Sequence, residues 1–131
     1  MTQEEKQLLL KDLCGRLPYH TVLHFDDRVH EEYLYGFREN GGKFLINDAY
    51  YIEEVKPYLR PMSSMTEEEI KTYQSLQDTA CSYHYEFGDI VDDILYFDND
   101  VSLDYLNSIH IDYRGLIPIG FALEAPKDMY I

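Results

Sequence analysis

Tryptophan is absent from this chain, and cysteine occurs only as Cys14 and Cys81, far apart and without C-x-x-C spacing. That excludes the disulfide framework of a small secreted domain and the paired-thiol zinc sites. Glycine and proline together supply 12 residues, too few for a collagen-like or low-complexity chain. Basic residues are scarce, 11 Lys and Arg against 25 Asp and Glu, for a net charge of -14. A charge of that sign repels phosphate backbones, so direct nucleic-acid binding is not expected. No run approaches the ~20 apolar residues of a membrane span; Gly115 to Leu123 is the longest uncharged stretch near the end. The opening residues Met1 to Lys6 show neither the basic nor the apolar part of a secretory signal. The expected location is cytoplasmic, with no membrane partner.

What is present is the composition of one globular domain, 1–131, with 45% hydrophobic residues. A chain of this length buries roughly two-thirds of its unfolded surface and needs no metal or disulfide staple. Its 13 Tyr and 6 Phe suit half-buried sheet faces, where a ring packs while its hydroxyl stays wet.

The periodicity predicts an α+β fold. It consists of a small, curled antiparallel sheet of three to five strands, barrel-like in shape, with an N-terminal helix and several C-terminal helices. Thr2 and Glu5 form a capping box, and Leu9, Leu10, Leu13 and Leu17 make one apolar stripe. Gly15 suits the position after the helix end, and Pro18 stops continuation. Tyr19 to Phe25 alternates, with Tyr19, Thr21, Leu23 and Phe25 on one face. Glu32 to Arg38 reads as a second strand with Tyr33, Tyr35 and Phe37 on one face. Asn40-Gly41 reads as a two-residue hairpin turn that sets Phe37 opposite Phe44 and Tyr35 opposite Ile46. Tyr50 to Val55 supplies a fourth strand, and Lys56 to Met62 is extended because each proline disfavours helix before it. Thr66 and Glu69 cap a helix whose buried stripe is Ile70, Tyr73, Leu76 and Ala80. In His84 to Phe97 the two periods compete, leaning to helix over 89–97. Asp100 or Ser102 caps a short helix with Leu103, Leu106 and Ile109, and Asp112 caps another ending at Gly120.

Three phrases, Met1 to Cys14, Lys56 to Glu69, and Asp112 to Ile117 with Ala122 to Pro126, together resemble a group of small uncharacterised proteins from gut Bacteroidales and their phages and prophages. The resemblance covers about a third of the chain and implies a mobile-element setting. It implies no activity, cofactor or site.

Catalytic constellations fare poorly against plainer readings. Asp98-Asn99-Asp100 opens like a calcium loop, but Leu103 stands where the turn needs Gly and Ile109 where the bidentate Glu belongs. His20 and His24 are too far apart along a strand to share an ion without a third element. Asp48 with Glu54-Val55-Lys56 imitates the ligand spacing of metal-dependent nucleases, yet the charge opposes such a substrate. Cys81 and His84 lack any hydrolase signature, and both cysteines read as small packing residues. Gly41-Gly42 is a turn and not a phosphate loop. No catalytic residue, metal site or cofactor is therefore expected.

The remaining feature is charge distribution, because no Lys or Arg occurs from Thr72 through Tyr113. Tyr85, Glu86, Asp89, Asp92, Asp93, Asp98 and Asp100 form the expected contact surface for a protein with a basic face, the alternative being a merely solvated acidic face. This makes the chain a non-catalytic binding protein, and a homo-oligomer is compatible with it. A small-molecule or nucleotide sequestering role on the tyrosine-rich sheet is the alternative.

Overall fold

The computed structural model describes residues 1–26, 31–87 and 101–130, the side chains of residues 40 and 78–87 excepted. Helix α1 (Gln3–Arg16) starts where the sequence places it: Glu5 N–H donates to Thr2 Oγ1, and Thr2 N–H donates to Glu5 Oε1. Leu9 and Leu13 on its inner stripe are fully buried, with Leu10 and Leu17 partly so. The helix does not stop at Gly15. It runs to Arg16 and tightens into a 3-10 turn, Leu17–Tyr19, that ends on His20 in the left-handed region.

Two sheets follow, and they do not close into a barrel. The first holds β1 (Val22–Phe25), β2 (Glu32–Tyr33), β6 (Val55–Leu59) and β7 (Leu123–Glu124), in the order β2-β1-β6-β7, with β7 parallel to β6. The second is an antiparallel meander of β3 (Phe37–Asn40), β4 (Lys43–Ile46) and β5 (Tyr50–Tyr51). The first sheet is therefore mixed and not purely antiparallel, and the sequence did not reveal it because the two-residue strand β7 carries no readable alternation. Phe25 of the first sheet stacks on Tyr50 of the second at 4.0 Å between centroids. Both join Leu23, Leu34, Ile46, Val55, Leu59 and Leu116 beneath α1. Each such aliphatic side chain contributes about 1.5–3 kcal/mol on burial.

Glu32 to Arg38 is not one strand. Leu34 is buried, while Tyr33 and Tyr35 are 59% and 67% exposed, so the inward face is opposite to the expected one. One large aliphatic residue outweighs two tyrosines whose hydroxyls prefer water. The chain crosses between sheets at 34–36, and Asn47 holds the crossing. Its Oδ1 accepts from Tyr35 N–H and its Nδ2 donates to Tyr33 C=O, at 2.9 and 2.8 Å.

The hairpin turn is Gly41-Gly42, both at positive φ, and not Asn40-Gly41. Phe37 therefore faces Ile46, and Glu39 faces Phe44. Moving the turn by one residue moves the partner by two, which keeps each side chain on its face. Tyr50 to Val55 also divides: β5 stops after Tyr51, and Ile52–Glu54 is a 3-10 turn.

Pro57 sits in the central strand β6, opposite Leu23. Asp26 N–H donates to Glu54 C=O, so 26/54 is a hydrogen-bonded pair, and by alternation 23/57 is not. The missing proline N–H thus removes no bond to β1. The next hydrogen-bonded pair along the ladder is 22/58, and there a side chain intervenes. Tyr130 Oη accepts from Val22 N–H at 2.9 Å and donates to Tyr58 C=O at 2.7 Å, bridging β1 and β6.

Helix α2 (Glu67–Phe87) includes Tyr83 to Phe87, where helix and strand patterns compete. Its capping box is present, Glu69 N–H donating to Thr66 Oγ1 and Thr66 N–H donating to Glu69 Oε1. Ile70, Tyr73 and Leu76 are not buried, contrary to expectation. Residues 101–108 form α3, with Leu106 buried. Residues 116–120 are turns and not a helix, although Asp112 caps them, its carboxylate accepting from Leu116 and Ile117 N–H.

Candidate functional site

Two places concentrate polar chemistry. The first is internal and begins on α1, where Asp12 and Arg16, four residues apart, face inward. Both are fully buried and paired twice, Arg16 Nε to Asp12 Oδ2 at 2.7 Å and Nη2 to Oδ1 at 3.0 Å. Arg16 Nη2 also donates to Ile111 C=O. Arg114 Nε lies 3.3 Å from Asp12 Oδ1, near enough for an ion pair though not aligned as a hydrogen bond. Both guanidinium groups stand over the Tyr113 ring, at 5.3 and 4.8 Å. Arg16 Nη1 finds no partner among the described residues.

Beside this cluster, His110 adopts a left-handed conformation, φ 65°, and stacks on Tyr130 at 3.6 Å. Its Nδ1 lies 3.3 Å from Thr21 Oγ1. Burial, with the nearby Arg16 and Arg60 charges, pushes the imidazole down to about 4, so it is neutral at pH 7. Burial likewise pushes the Tyr130 phenol up, which keeps its proton for Tyr58. Nearly every group here is consumed by another part of the chain. The cluster ties α1, β1, the 110–114 segment and residue 130 together. Sequence reasoning missed it, since the i,i+4 spacing of Asp12 and Arg16 does not distinguish a buried pair from a surface one.

The second place is open. A cleft of about 380 Å³ lies between the first turns of α1 and the second sheet. Its helix wall is Gln3, Lys6, Gln7 and Leu10, and its other wall is Gly42, Lys43, Phe44 and Tyr51 of the second sheet with Ile52 and Glu53 of the 3-10 turn that follows. The volume suits a drug-sized molecule. Phe44 and Tyr51, which both line the cleft, are 48% and 43% exposed. Lys43 Nζ stands 5.5 Å from the centre of the Tyr51 ring. Lys6 and Glu53 form an ion pair across the cleft, and the cation holds the Glu53 carboxyl below the usual range. Two lysines against one carboxylate make this a locally cationic spot on a strongly anionic protein. The sequence signal was Lys43-Phe44 next to the Gly-Gly turn, readable only once α1 is known to lie opposite.

The other sequence candidates are dispersed. Asp48 pairs with Arg38 at 2.8 Å in the turn after β4, whereas Lys56 lies on β6 opposite His24, and β4 and β6 are not neighbours. His20 lies beside Tyr33 and His24 edge-on to Tyr58. Among the described residues, no three His, Cys, Asp or Glu side chains are placed to hold a metal ion. Cys14 is exposed and does not pack inside, because it lies off the buried stripe of α1. Of the expected contact surface, Tyr85 and Glu86 belong to the last turn of α2. Asp89, Asp92, Asp93, Asp98 and Asp100 lie outside the described residues, as do the 89–97 helix and the calcium-like opening Asp98-Asn99-Asp100. Among the described residues no helix is long and apolar enough to cross a membrane. Comparison with protein-family models, curated proteins and solved structures gave no match.

Proposed function

We propose that this protein acts by binding, and that its cleft takes a small molecule joining a flat aromatic ring to an anionic group, as a nucleotide does. One observation carries the reading: Lys43, Phe44 and Tyr51 converge in a ligand-sized cleft, and the cleft is cationic on a chain of net charge -14. The exposed rings offer a stacking face, and the lysines offer Coulomb attraction that the rest of the surface opposes. Sequestration fits better than turnover, because the one carboxylate lining this space, Glu53, is paired with Lys6, and no metal-holding group of side chains is found among the described residues.

The test is a thermal-shift panel of nucleoside mono- and diphosphates, with native mass spectrometry of the purified protein. A matching ligand raises Tm by mass action, about 2.7 kcal/mol at one hundred times Kd. Lys43→Ala and Tyr51→Ala each reduce that rise, measured for each variant from its own unliganded Tm, since Tyr51 is 43% exposed and its truncation also removes packing. Ligand binding that survives both substitutions sinks the assignment to this cleft.

A second reading rests on the stretch from Thr72 through Tyr113 that lacks Lys and Arg. In it, a phage-associated accessory protein uses Tyr85, Glu86 and the aspartates that follow to hold a partner with a basic surface, inside the cell. Such a complex weakens steeply with added salt, whereas stacking in the cleft responds less.

A further inference from the structure

Three charged side chains meet in the cleft, each from a different element. Lys6 stands near the start of α1, Lys43 opens β4, and Glu53 lies on the 3-10 turn after β5. Glu53 pairs with Lys6 and feels Lys43 as well, both ammonium groups holding its carboxyl below the usual range. Lys43 Nζ meanwhile rests 5.5 Å from the centre of the Tyr51 ring. One carboxylate is thus the shared counter-ion of two cations beside an aromatic wall. A ligand whose ring lies on Phe44 or Tyr51 must bring its anionic group to that same position.

The resident pair is easy to open. The Lys6 and Glu53 side chains are 34% and 44% exposed, and an ion pair so accessible to water stabilises only weakly. A half-exposed glutamate swings into solvent by a change of rotamer alone. What displaces it depends on charge. A carboxylate or a phosphodiester, with a single negative charge, exchanges like for like and gains nothing at Lys6. A phosphate monoester carries about -1.5 to -2 charges at pH 7 on three acceptor oxygens, so it can hold Lys6 and Lys43 together.

We infer, resting on the nucleotide reading of the cleft, that Glu53 is a built-in competitor at its anion position and that a phosphate monoester takes its place on Lys6 and Lys43. The ligand class narrows accordingly to nucleotides with a terminal phosphate, and Glu53 sets the limit on their affinity.

Isothermal titration calorimetry at low salt tests this with adenosine 5′-monophosphate and adenosine as probes. The proteins are the wild type, Glu53→Gln, Lys6→Gln and the double variant, all altered outside the buried core. Glu53→Gln should bind the monophosphate about fivefold tighter and the uncharged nucleoside no differently. Lys6→Gln should weaken the monophosphate, and in its presence the gain from Glu53→Gln should shrink to roughly twofold or less. If the wild type binds the monophosphate and Glu53→Gln does not tighten it, the exchange is overturned while the cleft keeps its ligand. An equal gain with and without Lys6, or a gain that adenosine shares, overturns it too. If none of the four proteins binds either probe, the nucleotide reading falls and the exchange falls with it.

Discussion

Gly15 lies inside α1, where a glycine normally costs up to about 1 kcal/mol relative to alanine. Asn107 explains its presence. A Cβ at residue 15 would lie 2.9 Å from Asn107 Nδ2, and Asn107 is itself buried and accepts a hydrogen bond from Tyr113 Oη at 3.0 Å. Gly15→Ala should therefore lose about 1–2 kcal/mol of stability in urea unfolding despite its better helix propensity. An unchanged or higher stability would show that α3 gives way freely. The sequence offers a different reading of the same residue, a helix terminator ahead of Pro18, because the contact that demands a glycine is made by a residue 92 positions later. Asp12 and Arg16 teach the same lesson: spacing shows that they can pair, and only the chain folded over them shows that they are buried.

At the scale of elements, Asn47 decides how two sheets are joined. It is buried, sits at φ 51°, and satisfies backbone groups of Tyr33 and Tyr35 where the chain leaves one sheet for the other. Asn47→Ala leaves both groups unpaired and puts alanine in a left-handed conformation, so about 3 kcal/mol of stability should be lost. Asn47→Gly should recover roughly 1 kcal/mol of that, the backbone share, as read by chemical denaturation. Equal losses in the two variants would refute the backbone part of the account. The elements themselves were largely legible, since the capping boxes, the α1 stripe and the β1 alternation depend on neighbours in sequence. Register and pairing were less so. The Tyr33-Tyr35-Phe37 alternation concealed the inward Leu34, and a choice between adjacent glycine turns fixed the hairpin. The cleft was not legible, because its two walls come from separate parts of the chain.

For the whole molecule, acid should act in two stages. The folded state holds His110 down to about 4 against an ordinary 6.5, so the unfolded chain takes up this proton first. Stability is then full above pH 6.5 and declines towards pH 4, by up to about 3 kcal/mol. Glu69 follows. Its bidentate partner Arg60 holds it down to about 2 against 4.5, so its share is present above pH 4.5 and drains away as pH falls towards 2. Relief of repulsion among the many carboxylates works against both losses. Thermal unfolding against pH reads the two stages, and His110→Asn, which tolerates the left-handed backbone, should flatten the upper one. If that variant keeps the slope between pH 6.5 and 4, His110 is not its source.

Tyr130 also has a bearing on how the chain is made. Its hydroxyl occupies the place where Val22 and Tyr58 would otherwise meet directly. During synthesis both strands leave the ribosome long before residue 130 is added. Until then Val22 N–H and Tyr58 C=O lack the group that joins them, and His110 lacks the ring stacked on it. The nascent protein must therefore wait, with its central ladder unsealed at one end, for residue 130 to emerge.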